Sequence, residues 1–229
     1  MSSVDPVQAP DPAGDGCWIS QHMRFVFQTS EREPDVVLLG DSILLNMQFT
    51  KVYQTYLEPL HCVNFSIYSD QTQNILWRIE NGELGGFSPK VIVIMIGTHN
   101  VTHSAEEVVR GITTIVETVK RKQPHASVIV MGLLPCGREP NPRRAKHEKV
   151  NKLLSKEFDQ QSKVTFIHPD WENFIQPNGT ISHRDMYDYM HPTESGYAKL
   201  ADPLIEELQN SLQTFLKTNA PSNSLVEEP

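Results

Sequence analysis

Two short motifs, far apart in the chain, carry the side chains needed for nucleophilic hydrolysis. Ser42 ends the sequence VVLLGDS and is followed by the apolar segment ILLNM, whereas Asp188 and His191 form a D-x-x-H pattern. A serine hydroxyl becomes a nucleophile when a base accepts its proton, and a carboxylate fixes the tautomer of an imidazole base. Together these three residues predict acyl transfer to serine.

Each motif also has an ordinary structural explanation. Asp41 or Ser42 could simply cap a helix, which is the common use of these residues. The D-x-x-H pattern arises readily by chance in a chain with nine histidines, and its histidine could lie in a surface loop. The combination is more specific than its parts, because serine, acid and base occur in that order and one sheet edge could unite them.

The elements that must position these residues are predicted from hydrophobic patterning. Apolar runs without polar alternation are typical of parallel strands that are covered on both faces, and five such runs occur, at 36–40, 62–67, 91–97, 127–133 and 164–168. Helical patterns separate them, including a capping box at 104–107, a helix from Pro142 and a leucine ladder within 193–216. The order predicts an α/β fold, a three-layer α/β/α sandwich around a five-stranded parallel sheet.

Length and composition predict one domain with two tails. The 229 residues are 38% hydrophobic, which suits a single domain over residues 17–217. The polar segments 1–16 and 218–229 are predicted to be flexible. The net charge of −8 argues against nucleic acid as a partner, and no apolar run of 18 residues predicts a membrane span.

Cysteine and histidine usage bears on compartment and metal content. The three cysteines are scattered, and the first 20 residues lack the apolar stretch of a signal peptide, so a cytoplasmic location is expected. The histidines outside the D-x-x-H motif show no paired spacing with cysteines or carboxylates. We therefore expect no metal and no cofactor.

The blocks GDS and D-x-x-H make the chain resemble the SGNH (GDSL-like) hydrolases, which have a flavodoxin-like sandwich. The closer resemblance is to the catalytic α subunits of cytosolic platelet-activating-factor acetylhydrolase type Ib. It is carried by PDVVLLGDS (34–42), LWRIENGEL (76–84), PKVIVIMIGT (89–98), GLLPCGREPNPRR (132–144) and NGTISHRDMYDYMH (178–191), and it extends over about residues 17 to 216.

The resemblance implies a serine esterase that removes the acetyl group from a phospholipid of the platelet-activating-factor type. Ser42 matches the nucleophile, His191 the base and Asp188 its orienting acid. The family's oxyanion hole uses the serine N–H, a glycine N–H and an asparagine side chain. Here Ser69 and His99 replace that glycine and asparagine, which predicts a slower enzyme.

Two alternatives remain open at the level of sequence. One is a catalytically impaired pseudoenzyme that acts by binding a WD40 propeller protein; the other is a short-acyl esterase with a different substrate. The altered Ser69 and His99 favour the first, and the intact triad opposes it. The resemblance also implies a homodimer and a WD40 β-propeller regulatory subunit. Candidate walls of a small acyl pocket are Ile43, Thr98 and Met190.

Overall fold

A single parallel sheet forms the centre of the protein, for which the computed structural model describes residues 2–218. The strand order is β2-β1-β3-β4-β5, with β1 (Val36–Gly40), β2 (Cys62–Asn64), β3 (Val91–Met95), β4 (Ser127–Met131) and β5 (Val164–Ile167). The predicted five-stranded parallel sheet is therefore confirmed. Four strands end before their apolar runs do, because the last residues of those runs turn into the loops that follow.

Among the residues that the structure describes, six α-helices surround the sheet: α1 (Cys17–Glu31), α2 (Ser42–Met47), α3 (Thr72–Arg78), α4 (Ala105–Lys122), α5 (Pro142–Phe158) and α6 (Glu194–Thr218). Short π-helical segments occur at Tyr53–Leu57 and Ile79–Glu83, and 3₁₀ turns at Glu58–Leu60 and Trp171–Asn173. The predicted capping box before α4 is present, with Ser104 and Glu107 as its partners. Pro142 is the first residue of α5, as expected for a residue that needs no N–H partner there.

Alternate strand residues face two separate apolar cores, which produces the three layers. Val37 and Leu39 pack with residues of α1, α3, α4 and α5. Val36 and Leu38 face the opposite side, where α2 and the leucine ladder of α6 cover the sheet. The strand β1 is buried along its whole length, which explains why its sequence shows no polar alternation.

Helix α1, which the strand–helix alternation did not predict, covers a buried ionic cluster. The Arg78 guanidinium lies 3.0 Å from the Asp70 carboxylate and 2.9 Å from that of Glu83. From α1, the Trp18 ring N–H donates to Asp70 at 2.6 Å, and the His22 ring lies 2.9 Å from Glu83. The cluster fixes the loop that follows β2.

The N-terminal segment differs at two points from the predicted flexible tail. The Ser3 side chain is buried and its hydroxyl donates to the Glu107 carbonyl oxygen at 2.6 Å. The Val7 carbonyl oxygen accepts from the Asn74 side chain at 3.0 Å. The flexible tail was predicted from amino-acid composition, and composition does not reveal individual hydrogen bonds of this kind. The predicted C-terminal tail lies, beyond Thr218, outside the described residues.

Candidate active site

The end of β1 presents Ser42 at a tight strand-to-helix junction. A Cβ atom at Gly40 would lie 2.6 Å from the Met95 carbonyl oxygen of β3, so this close approach requires glycine. Asp41 caps α2 by accepting from the Ile43 N–H at 3.0 Å. The capping role therefore belongs to Asp41, and the Ser42 hydroxyl remains available for other contacts. Burial raises the pKa of Asp41 to about 7, although the hydrogen bond from Ile43 opposes that shift.

A tight turn before α6 brings Asp188 and His191 together. One Asp188 oxygen accepts from the backbone N–H groups of Met190 and His191, at 3.0 and 2.7 Å, and the other lies 2.6 Å from the His191 Nδ1. Tyr189 completes the turn with a φ of 61°. Partial burial raises the pKa of Asp188, but these hydrogen bonds outweigh it and hold the pKa below its usual value.

The tautomer of His191 follows from its partners. Because ionised Asp188 can only accept hydrogen bonds, the His191 Nδ1 donates to it. The other ring nitrogen, Nε2, is then the acceptor in a neutral imidazole, and it lies 2.8 Å from the Ser42 Oγ. The structure thus brings the three sequence-predicted residues into one hydrogen-bonded chain, from Asp188 through His191 to Ser42.

A second imidazole also contacts the Ser42 hydroxyl. The His99 Nε2 lies 3.0 Å from the Ser42 Oγ. Burial lowers the pKa of His99 to about 4, with further contributions from the Arg143 and His191 charges, so the ring is neutral at neutral pH. Since the hydroxyl proton of Ser42 points to His191, the oxygen accepts from the His99 Nε2–H. The residue that stands where the related enzymes have an asparagine therefore presents an N–H to Ser42.

Ser69 keeps the backbone conformation that a glycine would provide. Its φ is 62°, and its N–H donates to none of the residues that the structure describes. The Asn100 side chain, by contrast, is buried away from Ser42, where it accepts from the Thr72 N–H at 3.1 Å and donates to the Thr72 hydroxyl at 3.0 Å. The His99 and Asn100 side chains thus point in different directions from the turn that follows β3.

The three candidate pocket residues occupy different environments. Ile43 packs into the core between α2 and α6, and its carbonyl oxygen accepts from the Tyr197 hydroxyl at 2.7 Å. Thr98 is buried, and its carbonyl oxygen accepts from the Arg143 guanidinium at 2.7 Å. Met190 is half-buried in the turn beside His191. Arg143 thereby holds the peptide that precedes His99.

Two tyrosines at the site received no role from the sequence. The Tyr68 ring centroid lies 6.1 Å from that of His191 and 6.4 Å from that of His99. The Tyr187 ring is nearly parallel to that of His191, at 5.8 Å. Their positions in the sequence were the hint that they lie near the site, since Tyr68 follows β2 and Tyr187 precedes Asp188. Spacing alone does not show that either ring packs on an imidazole.

Neither grouped metal ligands nor a membrane-crossing helix is found among residues 2–218. Within that range, no three His, Cys, Asp or Glu side chains are grouped as metal ligands. Over the same residues, no helix has both the length and the apolar composition to cross a membrane.

Comparison with known proteins gives close sequence relatives and more distant structural ones. The platelet-activating factor acetylhydrolase IB subunit alpha2 of Homo sapiens is 44% identical over 208 residues, 91% of this chain and 90% of the relative. Subunit alpha1 of Homo sapiens is 41% identical over 228 residues, 100% of this chain and 96% of the relative. A GDSL-like lipase from Bacteroides thetaiotaomicron has the same fold, with a TM-score of 0.68, 18% identity and coverage of 81% and 97% of the two chains.

Family assignment rests on a match over most of the fold. The GDSL-like Lipase/Acylhydrolase family matches residues 38–199, from within β1 to the first turns of α6. That range contains both the GDS block and the D-x-x-H block. The match, together with identities above 40% over nearly the whole chain, establishes that the chain belongs to the GDSL-like lipase/acylhydrolase family.

Proposed function

We propose that this protein is a serine esterase that hydrolyses the acetyl ester of a phospholipid of the platelet-activating-factor type. The observation that carries the proposal is the hydrogen-bonded chain of Asp188, His191 and Ser42, with distances of 2.6 and 2.8 Å. The substrate class is taken from the relatives, which are named as platelet-activating factor acetylhydrolase subunits.

Each proton has a defined donor and acceptor in the proposed reaction. The Ser42 Oγ attacks the acetyl carbonyl carbon while its proton moves to the His191 Nε2, and Asp188 stabilises the resulting imidazolium. The tetrahedral intermediate expels the alcohol, which takes the proton from His191. Water then attacks the acetyl-serine, His191 accepts its proton and returns it to Ser42, and acetate leaves.

Three N–H groups support the negative charge that develops on the carbonyl oxygen. Ser42 is the first residue of α2, so its backbone N–H has no partner within the helix. The N–H of Ser69 adopts a glycine-like backbone position, and the His99 Nε2–H already contacts the nucleophile. In this proposal His99 replaces the asparagine donor, so the changed residues retune the oxyanion hole and do not abolish it.

Covalent labelling tests the nucleophile. We expect a fluorophosphonate to form an adduct on Ser42, because His191 can take its proton at 2.8 Å. Peptide mass mapping identifies the labelled residue. His191→Ala should abolish the adduct, whereas replacement of the exposed Ser162 by Ala should leave it unchanged. Labelling at another residue, or none after long exposure, contradicts the esterase proposal.

Two alternatives are distinguished by the same experiment. A pseudoenzyme that binds a WD40 propeller protein is favoured by the complete burial of Ser42, and it predicts no adduct under any condition. A short-acyl esterase with another substrate is favoured by His99, whose ring contacts Ser42, and by Tyr68, whose ring lies beside that of His99. It predicts labelling of Ser42 together with poor cleavage of the phospholipid ester.

The relatives and the cysteines support a proposal about assembly and location. The relatives are named as subunits, and we propose a homodimer that binds a WD40 β-propeller regulatory subunit in the cytoplasm. The three cysteines are unpaired, which suits a reducing compartment. Light scattering of the purified protein should give about twice the chain mass of 26.0 kDa. A value near one chain mass at micromolar concentration contradicts the dimer.

A further inference from the structure

Ser42 is closed off from solvent in this structure. Its exposed fraction is 0%, and its Oγ is hydrogen bonded to both His191 and His99. An ester carbonyl carbon must approach that oxygen to about 3 Å before it reacts. A group that covers Ser42 must therefore move before any substrate can bind productively.

The two imidazoles are poorly suited to that movement. His191 is held by Asp188 through its ring and its backbone N–H, at 2.6 and 2.7 Å. His99 follows Thr98, whose carbonyl oxygen accepts from Arg143 at 2.7 Å. Displacing either ring would also break a hydrogen bond to Ser42.

Tyr68 is an exposed side chain whose ring lies beside both imidazoles. Its ring packs against both, with centroid distances of 6.1 and 6.4 Å, while 56% of its surface remains exposed. The Tyr68 hydroxyl forms no hydrogen bond with any residue that the structure describes, so side-chain rotation breaks none. The backbone beside it is fixed, because Asp70 is bound by Trp18 and Arg78.

We propose that the Tyr68 ring is a gate over Ser42 that admits short acyl esters and disfavours long ones. The preference for short acyl esters rests on the proposed function, whereas the control of access to Ser42 does not. In this proposal a small rotation of the ring admits an acetyl group, whereas a longer acyl chain still competes with the ring for the same space. Tyr68 is thereby a specificity-determining residue outside the triad.

Acyl-chain preference tests the gate in the active protein. We expect Tyr68→Ala to raise the ratio of kcat/KM for p-nitrophenyl hexanoate to that for p-nitrophenyl acetate by at least about tenfold, a typical effect of pocket size on specificity. Tyr68→Phe keeps the ring and should leave the ratio unchanged. Tyr187→Ala removes a ring that packs on His191 and should also leave the ratio unchanged. An unaltered ratio in Tyr68→Ala overturns the gate.

Thiol accessibility tests the same inference without hydrolysis. The Ser42→Cys variant places a thiol at the position that contacts both imidazoles. Its reaction with a bulky maleimide is followed by mass mapping, with exposed Cys17 as the internal reference. Adding Tyr68→Ala should accelerate modification at position 42 at least about tenfold relative to Cys17. Tyr68 is largely exposed, so this replacement should not disturb folding.

The two measurements separate failure of the gate from failure of the esterase proposal. Faster thiol modification in a protein that hydrolyses no ester supports the gate and contradicts the proposed function. Ester hydrolysis with neither an altered chain preference nor an altered thiol rate contradicts the gate and supports the function. Equal thiol rates with and without Tyr68 overturn the gate in either case.

Discussion

Replacement of His191 by Ala is expected to lower kcat for p-nitrophenyl acetate hydrolysis by about 10⁴–10⁶-fold. Without the ring, the Ser42 hydroxyl loses the acceptor that lies 2.8 Å from it, and no imidazolium forms beside Asp188. Steady-state kinetics on the purified variant measures the loss. His183→Ala provides the matched control, because His183 lies in the same segment and is exposed.

Non-additivity makes this prediction more specific. Ser42 and His191 act in one proton transfer, so Ser42→Ala and the double variant should each lose about as much as His191→Ala alone. Asp188→Asn should lose about 10⁴-fold, because the ring would lose the anion that stabilises its charged form. Losses that multiply in the double variant, or a residual rate above about one tenth of wild type, would show that these residues do not form one catalytic unit.

Local patterns in the sequence were enough to predict the sheet and to select Ser42, Asp188 and His191 as candidate site residues. The buried strands appear as continuous apolar runs, because both faces of a parallel sheet are covered. Asp188 and His191 are close in sequence, and a three-residue turn brings their side chains together. Ser42 could be added because the carboxyl ends of parallel strands share one edge of the sheet.

Contacts between distant segments could not be predicted in the same way. The role of α1 depends on Trp18 and His22 reaching Asp70 and Glu83, which lie 52 and 61 residues later. That Ser69 accepts a left-handed backbone conformation depends on how its loop is held. The rotation of the His99 side chain decides which ring nitrogen faces Ser42, and the amino-acid sequence does not give that rotation.

Removal of the second ring is the other change with a large expected effect. His99→Ala should lower kcat by about 10²–10³-fold, or about 2.7–4 kcal/mol, with a smaller change in KM. The reason is that the Nε2–H, 3.0 Å from the Ser42 Oγ, stabilises charge that develops in the transition state. Comparison of kcat and KM for acetate esters in wild type and variant measures the effect.

The His99→Asn variant distinguishes two roles of the His99 ring, which either donates a hydrogen bond to the oxyanion or blocks the oxyanion hole. If the ring only blocked the family's oxyanion hole, His99→Asn would raise kcat, as the altered motif by itself predicts. We expect kcat to stay flat or to fall, because an asparagine amide nitrogen ends nearer the main chain than the Nε2 that now contacts Ser42. A gain of about 10²-fold in His99→Asn would overturn the assignment of His99 as a competent donor.

The same ring also offers a check on the triad, because an imidazole at 3.0 Å could in principle replace the lost base. His99 is unsuited to that role: burial lowers its pKa to about 4, and no carboxylate described in the structure contacts its ring to stabilise a charged form. A His191→Ala variant should therefore stay inactive from pH 6 to 9 while His99 is intact. Activity of His191→Ala that persists in this pH range and disappears in the His191→Ala/His99→Ala double variant would instead show that His99 accepts the Ser42 proton.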